Sequence, residues 1–154
     1  MRRTLIGIFL IFVLTGCSGP TPTATPTPDI KTTSGYRTFL LAQVAVMNGA
    51  VDAVNTTCRE GDIAKCRTTL GERRPVYETA KQAIRTTTPP QPCILIFSGY
   101  VALPDLADPF FSEVQTEADQ ANATGMQTVL DRRYPPYARG QGVASSPDPR
   151  DQCK

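Results

Sequence analysis

The sequence predicts an all-α protein: a small antiparallel helical bundle of three long helices, the third broken, with an extended C-terminal strap and two disulfides. Three observations carry this. Apolar or small residues recur at alternating steps of four and three over Leu40 to Cys58, Ile63 to Ile84 and Phe111 to Gly125; the one strand-like run, Cys93 to Phe97, has no second run to pair with; and the stretch from about Tyr36 to Cys153 suffices for one core but not two.

The first segment sets Leu40, Val44, Met47, Val51, Val54 and Cys58 on one stripe, widened by Phe39, Val46, Ala50 and Ala53. That is a helix buried on a broad face. Gly61-Asp62 supplies a stop and a new N-cap. Ile63, Cys66, Leu70, Tyr77, Ala80 and Ile84 continue the spacing in a second helix, with Arg73 at a seam position. Pro75 lies inside it, yet the periodicity keeps its phase, so a kink is expected and not a break. Three threonines and three prolines between Thr86 and Pro92 end this helix. Ile94, Phe97 and Val101 fit a helix with Pro92 in its first turn. Pro104 and Pro109 then predict a break over Leu103 to Pro109. Phe111, Val114, Ala118, Ala121, Gly125 and Thr128 resume the pattern to about Arg133, and Tyr134 to Cys153 is expected to run back as the strap.

Residues before Tyr36 are different material. Arg2 and Arg3 lead an apolar run, Leu5 to Leu14, that is too short to span a bilayer and has the three-part form of a secretory signal. Gly19 to Pro28 repeats proline at nearly alternate positions and has almost nothing to bury, which predicts an extended, semi-rigid tether. The organisation expected is residues 1–16 as signal peptide, 17–35 as tether and 36–154 as the helical domain.

Leu14-Thr15-Gly16-Cys17 resembles the lipobox of bacterial lipoproteins, a likeness confined to residues 1–17. It implies removal of residues 1–16, a thioether-linked diacylglycerol on Cys17 and usually a further acyl chain, such as palmitate, on the new amino terminus. Several acyl chains anchor stably where one is marginal. Loss of Arg2 and Arg3 reduces sixteen basic residues to fourteen, equal to the fourteen acidic ones. The mature charge is near zero and supplies no footprint for a nucleic-acid partner.

Four cysteines remain, Cys58, Cys66, Cys93 and Cys153, an even number in an exported domain, with three possible pairings. Cys58 ends the first helix and Cys66 begins the second, so both lie at one end of the bundle. Cys93 starts the third element at the other end, tens of Å away at about 1.5 Å per residue. The expected bridges are Cys58 to Cys66 and Cys93 to Cys153. A zinc site is disfavoured by the absence of histidine and of any C-x-x-C spacing. No metal and no cofactor is expected.

The absence of histidine and of spare cysteines removes the usual nucleophile and base pairs. Carboxylates remain, Glu113 and Glu117 one turn apart with Asp105 and Asp108 in the predicted break, and these read as a solvated face and turn residues. Arg59 to Arg85 holds seven basic residues and Asp105 to Asp131 six acidic ones with no base, a complementarity expected to be satisfied within the domain. Arg73 and Arg74 before Pro75 read as side chains covering apolar neighbours. Arg132, Arg133, Tyr134 and Tyr137 interleave guanidinium and aromatic groups beside Pro135 and Pro136 and are the candidate interaction segment, with a structural strap as the competing reading.

The function expected is that of a lipid-anchored envelope lipoprotein facing outside the cytoplasm, at the cell membrane or outer membrane, acting as a non-enzymatic interaction or structural module with a protein or envelope partner. The alternative is a lipoprotein binding a small ligand or cation at the Leu103 to Pro109 break through Asp105, Asp108 and Glu113.

Overall fold

A computed structural model describes residues 28–145 and Cys153. Within them the chain is helical: α1 (Thr33–Arg59), α2 (Ile63–Arg85), a 3₁₀ turn (Gln91–Cys93), α3 (Ile94–Val101), α4 (Leu103–Asp119) and α5 (Ala123–Ser145). The expected signal peptide, Cys17 and nearly all of the proline-rich part of the tether lie outside the described residues, as do residues 146–152.

The first hairpin follows the sequence pattern. Thr32 caps α1 by accepting a hydrogen bond from the Gly35 amide. Leu40, Val44, Met47, Val51, Val54 and Cys58 all face the core. Gly61 takes φ +79 in the turn, a left-handed conformation that favours glycine, and Asp62 caps α2 through the Lys65 amide at 3.1 Å. Pro75 sits within an α2 that continues on both sides of it.

The second half departs from the expectation of three long helices. No break occurs at Leu103 to Pro109. Pro104 falls in the first turn of α4, where its missing N–H has no helical partner to lose, and Pro109 is carried inside the helix by buried Ala107, Phe110 and Phe111 on either side. The real interruption is Gln120 to Asn122. Ala121 adopts φ 54 there, Asn122 accepts from the Gly125 amide at 2.9 Å, and its own side-chain amide donates to Glu117 at 2.7 Å. Asn122 thus opens a new helix, α5.

Nor is the C-terminal segment an extended strap up to Ser145. Pro135 and Pro136 lie inside α5. They remove two helical hydrogen bonds, but that turn is held from outside: the Tyr134 hydroxyl donates to Asp52 at 3.1 Å and the Tyr137 hydroxyl to Asn48 at 2.7 Å, both on α1. Four long helices therefore close a ring of neighbours, α1 on α2, α2 on α4, α4 on α5 and α5 on α1. Tyr36, Tyr77, Phe110, Phe111, Met47, Leu70, Met126 and Leu130 fill its interior. Aromatic packing is dense in the middle, with the Tyr77 and Phe111 rings 4.7 Å apart and those of Phe110 and Phe111 5.6 Å apart.

Both expected bridges are present, Cys58 to Cys66 and Cys93 to Cys153, with Cα separations of 4.7 and 4.6 Å. They mark opposite ends. The Cys93 and Cys153 sulfurs lie 3.9 and 3.6 Å from the Thr33 carbonyl, and Arg37 donates to the Cys153 carbonyl at 2.9 Å. The start of α1, the start of α3 and the returning tail are thereby tied together.

Candidate functional site

The charge complementarity seen in the sequence is satisfied internally in part, by Arg59, Arg67, Lys81 and Arg85. Arg59 pairs with Asp131 at 2.8 Å, Arg67 donates to the carbonyls of Ala118 and Asp119, and Arg85 stands 4.0 Å from Asp105. These exposed pairs contribute little each. Deeper in, Lys81, only 9% exposed, reaches Glu78 at 2.6 Å and Asp108 at 2.9 Å. Its ammonium also lies 5.1 Å from the centre of the Tyr77 ring. The Tyr77 hydroxyl donates to the same Asp108 oxygen at 2.6 Å. Burial, then this bond to a carboxylate, raises the phenol well above its ordinary value.

The three carboxylates proposed as a ligand set do not converge. Asp105 is exposed, Asp108 is taken by Lys81 and Tyr77, and Glu113 is taken by two guanidinium groups, Arg132 at 2.5 Å and Arg133 through paired contacts. The hydrogen bond from Arg133 is the main cause that holds Glu113 below the usual carboxylate range. No cluster of three or more potential metal ligands occurs among the described residues. With the predicted break absent, the reading of Asp105, Asp108 and Glu113 as a ligand site loses the opening on which it rested.

The candidate interaction segment is placed inward. Tyr137 has no exposed surface, and burial pushes its hydroxyl up to about 12. Tyr134 is half-buried, its ring 6.4 Å from that of Phe110, with burial and its bond to Asp52 raising its pKa. Helical geometry puts residues 134 and 137 on one face, towards α1. Tyr137 is therefore withdrawn as a stacking surface; Arg132 and Arg133 flank it at the rim, both turned to Glu113. Arg73 is exposed and Arg74 half-buried on α2, so Arg73 does not occupy the core seam predicted for it.

A further surface lies at the start of the second half of the chain. The nineteen positions 86–104 contain no charged residue, and α3, which they include, is mostly apolar. Only Tyr100 of α3 is buried, while Ile94 and Leu95 are 42% and 52% exposed. Together the 3₁₀ turn, α3 and α4 (Gln91–Asp119) have the length and composition to cross a membrane, yet a third of the most apolar window is buried in the domain. The pairs from Asp108 and Glu113 and the Cys93 bridge commit the stretch to the bundle. The missing signal was the charge gap itself.

An open cleft of about 370 Å³ lies at the same end, lined by Ile30, Lys31 and Thr86 to Pro90. Its threonine hydroxyls at 86 and 87 are spent on backbone carbonyls of Gln82 and Ala83.

Residues 1–18 match the family described as prokaryotic membrane lipoprotein lipid attachment site, which supports membrane anchoring through a lipid on Cys17. No curated protein and no solved structure matches the chain.

Proposed function

We propose that this is an envelope lipoprotein whose bundle serves as a non-enzymatic interaction or structural module, held outside the cytoplasm at the cell or outer membrane by the lipid on Cys17. The lipid attachment site at residues 1–18 carries the reading. The two disulfides support an oxidising address. The non-enzymatic part is supported by the way two half-buried carboxylates are used: Asp108 and Glu113 each neutralise cations of the same domain, and the chain has no histidine to act as a base. Metabolic labelling with a fatty-acid analogue tests the anchor. The label and membrane retention should both be lost in Cys17→Ala; undiminished label would refute the assignment. Affinity capture from membranes, read by mass spectrometry, tests the module by asking whether one partner is retained reproducibly.

A further inference from the structure

We propose that α3 is a membrane-docking element, seating Ile94 and Leu95 in the interfacial layer of the bilayer that holds the Cys17 lipid. The inference rests on lipid anchoring of Cys17 and goes beyond it by fixing which surface of the domain meets the membrane.

Reach decides which end is available. At the polyproline rise of about 3.1 Å per residue that the sequence predicts for this tether, the eleven-residue step from Cys17 to Pro28 spans about 34 Å. α1 has 27 residues and is therefore about 40 Å long. The chain enters the domain at the start of α1, beside α3: the Tyr36 and Phe97 rings are 6.4 Å apart, and Cys93 adjoins Thr33. A tether of that length is shorter than α1, which disfavours bringing the far end, at Gly61 and Gln120, down to the lipid. The α3 end is the one held near the surface.

Composition suits that position. The outward side of α3 carries Ile94, Leu95, Ser98 and Gly99, with Leu106 of α4 37% exposed one further step along. None of these bears a charge that would have to be desolvated. At eight residues α3 is too short to cross a bilayer, which takes about twenty, but it is long enough to lie in the interface with its apolar side chains about 5–10 Å deep. Lys31 flanks the same end, where a cation favours anionic headgroups, while Arg85 there stands against Asp105.

The chain contains no tryptophan, so a single one reports position without background. The mature lipidated protein carrying Leu95→Trp, and separately Gln120→Trp at the far end, is reconstituted into vesicles of phosphatidylethanolamine and phosphatidylglycerol containing chain-brominated lipid. Docking at the depth given above should make quenching at position 95 exceed that at 120 at least about threefold, with a blue-shifted emission at 95 only. A protein that does not float with the vesicles indicts the anchor. A protein that floats, with residue 95 as unquenched and water-exposed as residue 120, overturns docking alone. Blue-shifted but unquenched emission at 95 overturns it too, and a dependence of that emission on protein density would assign α3 to a contact with a second copy.

Discussion

The two bridges differ in the loops they close, and that difference should appear directly in stability. Cys58 and Cys66 are separated by 8 residues, Cys93 and Cys153 by 60. If a bridge acts mainly by restricting the unfolded chain, the first contributes about 2.5 kcal/mol and the second about 4 kcal/mol at room temperature. For a domain of roughly 120 residues the unfolding entropy is about 0.25 kcal/mol per degree, so losing the short bridge should lower Tm by about 10 °C and losing the long one by about 17 °C. All four cysteines are fully buried. Replacing each pair by alanine therefore leaves comparable voids, and the penalty common to both cancels in the comparison. The long bridge also fastens the tail against Thr33 and Arg37, which adds to its side of the difference. Circular dichroism melts of Cys58→Ala/Cys66→Ala and Cys93→Ala/Cys153→Ala against the parent, without reductant, measure the contrast. An equal or larger loss from the short bridge would refute the loop-length reasoning and mean that the α1 to α2 turn needs its covalent link for native-state reasons.

Tyr137→Ala should cost roughly 3–5 kcal/mol, as for other buried aromatic truncations, and leave partner capture unchanged, because the side chain has no outer surface; capture lost with Tm preserved would restore the segment as an interface. The Glu113 pair predicts a pH signature. Its carboxyl has a folded-state pKa below the ordinary 4.5, so its contribution is complete above pH 4.5 and disappears as pH falls through the folded value. Glu113→Gln should accordingly be less stable than the parent at neutral pH, with the two urea midpoints converging in acid; a gap that persists at the lowest pH would show that shape, not charge, is what the substitution removes.

The first hairpin was legible because every signal agreed. Its period held from Leu40 to Ile84, Gly61-Asp62 marked the turn, and a cysteine on each side of that turn fixed the end of the bundle. The second hairpin misled through its prolines. A proline deletes one hydrogen bond to the residue four before it, and at the first turn of a helix it deletes none. Pro104 was such a case, while Pro109 is outweighed by the apolar residues packed around it. The true turn carried a quieter mark. The pattern Phe111, Val114, Ala118, Ala121, Gly125, Thr128 is continuous in sequence, but Ala121 and Thr128 are exposed, and the buried positions after the turn are Met126, Val129 and Leu130. The small residues at 121 and 125 had bridged a slip in phase, and Asn122, a good N-cap three before Gly125, stood at the slip.

The candidate sites were harder to read because a charged or aromatic side chain takes its role from what the fold sets against it. Asp108 and Lys81 are 27 positions apart, and no local pattern announces that one will bury the other. The helical course of Arg132 to Tyr137 is hidden for a different reason. Two adjacent prolines predict an extended, polyproline-like backbone with no internal hydrogen bonds, which leaves the two tyrosines, three apart, available as stacking surfaces. In a helix the same spacing turns both to one face. Tyr134 and Tyr137 can then each place a hydroxyl on α1, at Asp52 and Asn48, four residues apart and likewise on one face. That matched spacing on two helices was present in the sequence. It becomes evidence only once helix is allowed to continue through Pro135-Pro136, where tertiary anchors on both sides make up for the two hydrogen bonds the prolines remove.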